Sequence, residues 1–380
     1  MLENKKHFFS LPEQVIYLNC ATMSAQLKSV EQIGIKNLKD KSTPYVIESK
    51  HFFAEREFLK QRFAKLIKAP SSEYIAIIPS VSYGIANAVK NIPFEKNDEI
   101  VVLEEQFPSN FYAWKQLEAE KGVKVTTVSA PAIGEGRSKI WNENILKAIS
   151  SNTKVVSIPI VHWTDGTLFD LKAIRLRTNE VGAYLIIDGT QSIGALDFSV
   201  AEINPDALIC GGYKWLMGGY GLGVAFYGER FHEGIPIENN WMNHVGSEDF
   251  TNLANYNPEF KPKAARYDMG ESSNFILTPM LSEAIRQLLE WTPKAIQEYC
   301  NAITQPALEQ LQKKGYFIED PQFRAHHLFG IYLPEGKNIQ KIKESLLENR
   351  IFVSYRGKAI RVSPNVYNTE KDLEKLVQFF

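Results

Sequence analysis

The chain has 380 residues, 44% of them hydrophobic, and a formal net charge of -1 from 43 basic and 44 acidic side chains mixed throughout. That length accommodates two domains around one ligand site, and the balanced charge argues against a nucleic-acid partner or a polybasic membrane surface. Cys20, Cys210 and Cys300 are odd in number and far apart, so they point to neither a disulfide framework nor a metal cluster, and the cytoplasm is the expected compartment.

The N-terminal MLENKKHFFSLPEQV lacks the apolar centre of a signal peptide, and no apolar run approaches membrane-spanning length. Residues 16 to 25 read as a short extended piece and a turn. Residues 28 to 68 are helical in pattern, with Phe52, Phe53, Phe58, Leu59 and Phe63 spaced as an apolar core face. From Tyr74 to Lys90 a strand, a turn of small residues and the start of a helix are predicted. Exposed N–H groups at a helix N-terminus favour an anion, and Ser80, Ser82 and Gly84 permit close approach to the backbone.

The strand Glu99 to Leu103 leads into EEQFPSN. Lys121 to Ala130 reads as a strand, Ile140 to Ile149 as a helix, and Val155 to Val161 as a strand ending in His162-Trp163-Thr164-Asp165-Gly166-Thr167. His162 is a candidate base, but a histidine at a strand end is more often a satisfied structural residue.

The run Tyr184 to Ile187 has the length and β-branched content of a buried strand and delivers Asp188 at its carboxyl end. A second run, Ala207 to Cys210, ends in Gly211-Gly212-Tyr213-Lys214. A carboxylate and an amine therefore stand where open α/β sheets bind ligands. Glycines on both sides of Lys214 allow close backbone approach, and the aromatics exclude water and lower the ammonium's pKa, as an imine-forming lysine requires. An aspartate beside a pyridine nitrogen keeps that nitrogen protonated, the other half of pyridoxal-phosphate chemistry. Taken alone, such a lysine is more often an ordinary strand-end charge.

Residues 229 to 265 form a stretch with few periodic apolar positions, followed by Ala265 to Asn274. A long helical pattern begins at Thr278, and the domain change is placed inside it. The expected division is 16–287 for a large domain, with 1–15 and 288–380 forming a small one. The C-terminal part alternates strand and helix: a strand around 317, HHLFGIYL, a helix over Ile339 to Glu348, IFVSYR, AIRVSP and a last helix from Glu370.

The runs Asp188-Gly189-Thr190-Gln191-Ser192-Ile193-Gly194 and Gly211-Gly212-Tyr213-Lys214-Trp215-Leu216 resemble the class V aminotransferase family, pyridoxal-phosphate enzymes of fold type I. Cysteine desulfurases, selenocysteine lyases, kynureninases and isopenicillin N epimerases belong to that family. The resemblance implies an α/β fold, with a mostly parallel seven-stranded sheet in the large domain and a smaller α+β C-terminal domain. It implies that Lys214 and Asp188 are catalytic and hold the cofactor. The backbone N–H groups of Ser82 and Tyr83 would receive its phosphate, Phe107 would stack on its ring where relatives often have histidine, and Gln191 would face its phenolic oxygen. Trp163 aligns with an asparagine that touches that oxygen in relatives. Tyr213 replaces an imidazole, so phosphate relies more on the helix terminus, on Tyr213 or on a neighbouring subunit.

The segment Arg266 to Asn274 resembles the family's Arg-Phe-Glu-x-Gly-Thr-x-Asn, whose threonine reaches the phosphate of the other subunit of a homodimer. Here that role passes to Ser272 or Ser273, and Glu271 is expected to point elsewhere. Arg361 in IRVSPNVYNTEKDL resembles the arginine that binds the substrate α-carboxylate, with Arg356 a second candidate and Asn19 lining the entrance. Guanidinium forms a bidentate pair with carboxylate that lysine cannot copy.

The reading that follows is an enzyme acting on a small-molecule α-amino acid by transamination or related Cα-carbanion chemistry. A selenocysteine lyase or an isopenicillin N epimerase-like enzyme is the alternative, and a cofactor-binding protein without turnover is the alternative from another class. A dehydrogenase ranks low, because no G-x-G-x-x-G follows the first strand. A persulfide route is disfavoured, because residues 354 to 360 contain no cysteine.

Overall fold

In the computed structural model, which describes residues 2–380, a short strand β1 (Ile16–Tyr17) precedes helices α1 (Lys28–Asp40) and α2 (His51–Leu66). The single helical pattern over 28 to 68 is thus two helices. Pro44 opens a 3-10 turn between them, since proline supplies no amide hydrogen for an α-helix interior.

The large sheet then builds up in alternation: β2 (Ile75–Ile78), α3 (Val81–Asn91), β3 (Glu99–Leu103), α4 (Tyr112–Lys121), β4 (Lys124–Val128), α5 (Arg137–Ala148), β5 (Thr153–Pro159), α6 (Leu171–Val181), β6 (Tyr184–Asp188), α7 (Val200–Ile203), β7 (Ala207–Gly211) and β8 (Gly223–Tyr227). Its order is β2-β8-β7-β6-β5-β3-β4, and β8 alone runs against the rest. The strand expected over 121 to 130 begins late because α4 continues to Lys121 and is capped by Gly122 at φ +68.

Both faces of the sheet are covered, so its central strands are apolar throughout rather than alternating. Along β2, Ile75 and Ile77 join the core beneath one face while Ala76 and Ile78 join the core beneath the other.

Helix α8 (Leu277–Trp291) packs on α1 and α2, and α9 (Pro293–Lys313) carries the chain into the second domain. The long helix expected here divides at Thr292, which adopts φ +66 and caps α9 while Pro293 takes its first position. The second domain holds β9 (Phe329–Tyr332), α10 (Ile339–Glu348), β10 (Ile351–Phe352), β11 (Ser354–Arg356), β12 (Ala359–Val362) and α11 (Glu370–Val377). Strands β11-β12-β9 form an antiparallel sheet, and β10 pairs with β1. Ile16 and Leu18 pack in this domain's core with Ile303, Phe329 and Ile360. Phe9, Cys20 and Ala21, on either side of these two residues, pack instead with the core of the large sheet. The strand expected near 317 is a single bridge from Phe317 to Tyr332.

Candidate active site

The carboxyl ends of β2, β5, β6 and β7, with the loop after β3, enclose a cavity of about 290 Å³. Each strand delivers one kind of group to it: Ser80 and Ser82 after β2, Phe107 after β3, Trp163 after β5, Asp188 from β6, and Tyr213 and Lys214 after β7.

Asp188 is 7% exposed and accepts the backbone N–H of Thr190 at 2.9 Å. Burial raises its pKa, against the opposing pull of the Thr190 hydrogen bonds and the Lys214 charge. Lys214 is 6% exposed, with its Nζ 5.3 Å from the Phe107 ring centroid and 5.5 Å from that of Tyr213. Burial lowers its pKa to about 8; Asp188 opposes the shift, and the charges of Arg361 and Arg356 add to it. Neither group has an ion-pair partner within 4.0 Å among the described residues. Burial thus shifts both groups toward their neutral forms relative to the free side chains.

The two motifs clasp one another. Gly194 adopts φ +106, and a Cβ there would lie 2.3 Å from the carbonyl oxygen of Trp215. Only glycine permits the turn after Asp188 to pass under the loop that carries Lys214.

At the other end of the cavity stands the N-terminus of the eleven-residue helix α3. Ser80 caps it, accepting the Tyr83 backbone N–H at 3.3 Å, and the Ser80 and Ser82 hydroxyls are 2.9 Å apart. Ser82 lines the cavity. Tyr83 does not line the cavity: Ser80 Oγ accepts its N–H and its hydroxyl donates to Glu238 at 2.9 Å.

Gln191 lines the cavity but has a structural duty. Its amide donates to the Ala21 carbonyl at 3.0 Å and its Oε1 accepts from the Trp215 indole at 3.0 Å. Trp163 meets Phe107 edge to face with ring centroids 5.5 Å apart, and its indole donates to the Glu105 carbonyl at 2.6 Å. The indole N–H is therefore spent on the backbone, so Trp163 offers a wall and no hydrogen bond in place of the family's asparagine.

Arg361 lies immediately behind Trp163. It is 1% exposed and donates to Ser354 Oγ at 2.9 Å, the Trp163 carbonyl at 2.8 Å and Thr22 Oγ1 at 2.7 Å. All three acceptors are neutral, and burial lowers its pKa to about 9. Asn19 touches this cluster indirectly, accepting from the Thr22 hydroxyl at 2.8 Å. Arg356 is half-buried, 5.6 Å from the Trp163 ring centroid.

Ser272 is fully buried, its hydroxyl faces Met242 Sδ, and it lies outside this chain's own cavity. Ser273 is 3% exposed and likewise outside the cavity, while Glu271 points to solvent. His162 is fully buried beside Trp141 and bonded to Thr164 Oγ1 at 2.7 Å, away from the cavity. The three thiols are buried, and burial pushes Cys20 up to about 12.

Thr190, Thr22, Ser354 and Trp215 are participants that the sequence reading passed over. Thr190 had a local signal, since an N–H two residues after an aspartate closes an Asx turn. Thr22 had none, because its partner is 339 residues away.

A family model described as "Aminotransferase class-V" matches residues 46–376. An uncharacterized aminotransferase of Bacillus subtilis is 24% identical over 86% of this chain and 84% of its own length. The kynureninase of Geobacillus thermodenitrificans is 24% identical over 98% of this chain and 91% of its own. The apo structure of a cysteine desulfurase from Thermococcus onnurineus superposes with a TM-score of 0.82 at 18% identity, covering 100% of this chain and 97% of that one.

Proposed function

The chain belongs to the aminotransferase class-V family, and from that premise we propose residue roles for a pyridoxal-phosphate enzyme acting on an α-amino acid by transamination or related chemistry at Cα. The family assignment carries the cofactor; the roles below are our reading of the cavity.

The donor set fits the group. A carboxylate, an amine poised near neutrality, an aromatic wall and a helix N-terminus with two hydroxyls surround one small cavity. Asp188 would accept from the ring nitrogen, Lys214 would hold the aldehyde carbon, Phe107 would cover the ring, and Ser82 with the start of α3 would take the phosphate. Bound there, pyridoxal phosphate supplies an electron sink for a carbanion at the substrate Cα.

The rest is the work of the chain's own side chains. Arg361, a buried cation with neutral partners only, receives the substrate α-carboxylate and fixes its orientation. The Lys214 amine, neutral in a useful fraction near pH 8, takes a proton from Cα and can return it. Phe107, Trp163 and Tyr213 keep water from the reacting atoms, and none of them is an acid or base near neutral pH. A cysteine-persulfide route is disfavoured by three buried thiols.

The observation that carries this reading is the shared burial of Asp188 and Lys214 on one cavity without an ion pair. Incubating the loaded enzyme with an amino-acid panel, and following spectral change together with 2-oxo-acid release, tests it. No response to any amino acid would leave only a silent binder. We also propose a homodimer in the cytoplasm. Support for the dimer comes from Val245, Phe250, Leu253 and Tyr256, four exposed apolar side chains on one loop, with Tyr256 93% exposed. Among the described residues no helix is long and apolar enough to cross a membrane.

A further inference from the structure

Lys214 lines a cavity whose one lining carboxylate is Asp188, and Arg361 and Arg356 stand against Trp163 outside that lining, close enough for their charges to act on Lys214. An ordinary zwitterionic amino acid brings a single carboxylate to them. Arg361 and Arg356 act from the same face of one small sheet. In the β11–β12 pairing Ser354 stands opposite Arg361 and Arg356 opposite Ala359. Residues two apart on a strand share a face, which makes Arg356 the diagonal neighbour of Arg361, with Cβ atoms about 7–8 Å apart.

Each Arg361 nitrogen has one neutral acceptor, which leaves two of its five N–H groups for a carboxylate, whereas Arg356 is less well supplied. One of its terminal nitrogens donates to the neighbouring Tyr355 carbonyl at 2.8 Å, its Nε is buried without a partner, and its guanidinium rests 5.6 Å from the Trp163 ring centroid. No carboxylate lies within ion-pair distance of it among the described residues. Glu105, near the hairpin tip at Gly357, is exposed and forms no ion pair with Arg356. A half-buried guanidinium stacked on a cavity wall and lacking an anion is the acceptor side of an unmade charge-assisted pair.

We propose that Arg356 receives a second acidic group on the substrate, so that this site selects amino acids with an anionic side chain, carboxylate or phosphate. The inference rests on the reading that Arg361 takes the α-carboxylate. The Trp163 ring, packed between the Phe107 edge and Arg356, then acts as the wall along which the acidic side chain extends.

The test titrates the holoenzyme spectroscopically with matched pairs: aspartate and asparagine, glutamate and glutamine, phosphoserine and serine. Calorimetric binding of unreactive glutarate against butyrate adds a readout that needs no turnover. The expected result is a preference of about tenfold or more for at least one acid over its neutral partner. Arg356→Gln should abolish that ratio, with a larger loss for the acid than for its neutral partner, Arg356→Lys should keep part of it, and Arg361→Gln should weaken every amino acid alike. The carboxylate and phosphate arms identify which anion is meant. Equal binding of acid and amide by the native enzyme, a ratio that survives Arg356→Gln, or an equal loss for both partners would each overturn the proposal. Unaltered binding by Arg361→Gln would instead refute the α-carboxylate assignment, while the acid-to-amide ratio would still report on Arg356.

Discussion

Arg361 donates to the backbone carbonyl of Trp163 at 2.8 Å, across 198 residues of sequence. The small domain's buried cation is thereby tied to the loop that walls the large domain's cavity.

For Lys214 the prediction concerns pH. Its pKa falls from 10.5 to about 8 in the folded protein, so between those values the unfolded chain binds the extra proton and stability of the unliganded fold rises with pH. Below about 8 the full cost of the buried ammonium is present. The rate at which unliganded protein captures pyridoxal phosphate should rise with a midpoint near 8, followed as growth of colour. A midpoint near 10.5 would show an ordinary, solvated lysine.

Asp188→Asn should separate stability from activity. The folded pKa of Asp188 is raised above 3.8, so the folded state holds the proton longer and stability declines as pH climbs through that window. The neutral amide removes this cost. We expect an unchanged or higher melting temperature for the unliganded variant, retained cofactor, and turnover lower by about a hundredfold or more. Unchanged turnover would contradict the role given to the carboxylate.

Arg361→Gln should weaken amino-acid binding by about tenfold to a hundredfold and leave the colour of the loaded enzyme intact. Equilibrium titration reads the first and absorbance the second. Loss of both would mean that the arginine chiefly holds the fold together.

Gly194→Ala should destabilise the protein by on the order of 3 kcal/mol, since it combines a positive φ with a Cβ set against the Trp215 carbonyl. Denaturant unfolding measures the loss. Because that contact sits beside Lys214, the surviving folded fraction should also capture cofactor more slowly.

The three buried thiols yield a chemical prediction. Iodoacetamide should label Cys20, Cys210 and Cys300 only after unfolding, and Cys20→Ala should leave amino-acid chemistry in place. Rapid alkylation of the native protein with loss of activity would reopen the persulfide route.

Much of this was legible in the sequence where one local pattern decides one structure. The β-branched runs before Asp188 and Lys214 are buried strands, and both residues reach the same sheet edge because parallel strands end together. Arg361 could be picked out by the motif around it. What local pattern does not encode is who occupies a donor after folding. Tyr83 had the right position for phosphate, yet its N–H is taken by Ser80, a competition between capping and ligand that depends on one rotamer. Ser272 matched a family position, but the packing of Met242 against it is set by a loop without periodicity. The Thr22–Arg361 and Trp215–Gln191 bonds join segments whose meeting is a property of the whole fold. The break at Thr292 was readable in principle from Pro293, which the apolar spacing of Leu281, Ile285 and Leu288 overrode.

The most direct measurement is peptide mass analysis of the coloured protein after borohydride reduction. The account predicts one pyridoxyl-phosphate adduct, on the peptide containing Lys214, with no adduct formed by Lys214→Ala. An adduct on another lysine, or an unmodified Lys214 in coloured protein, would contradict it.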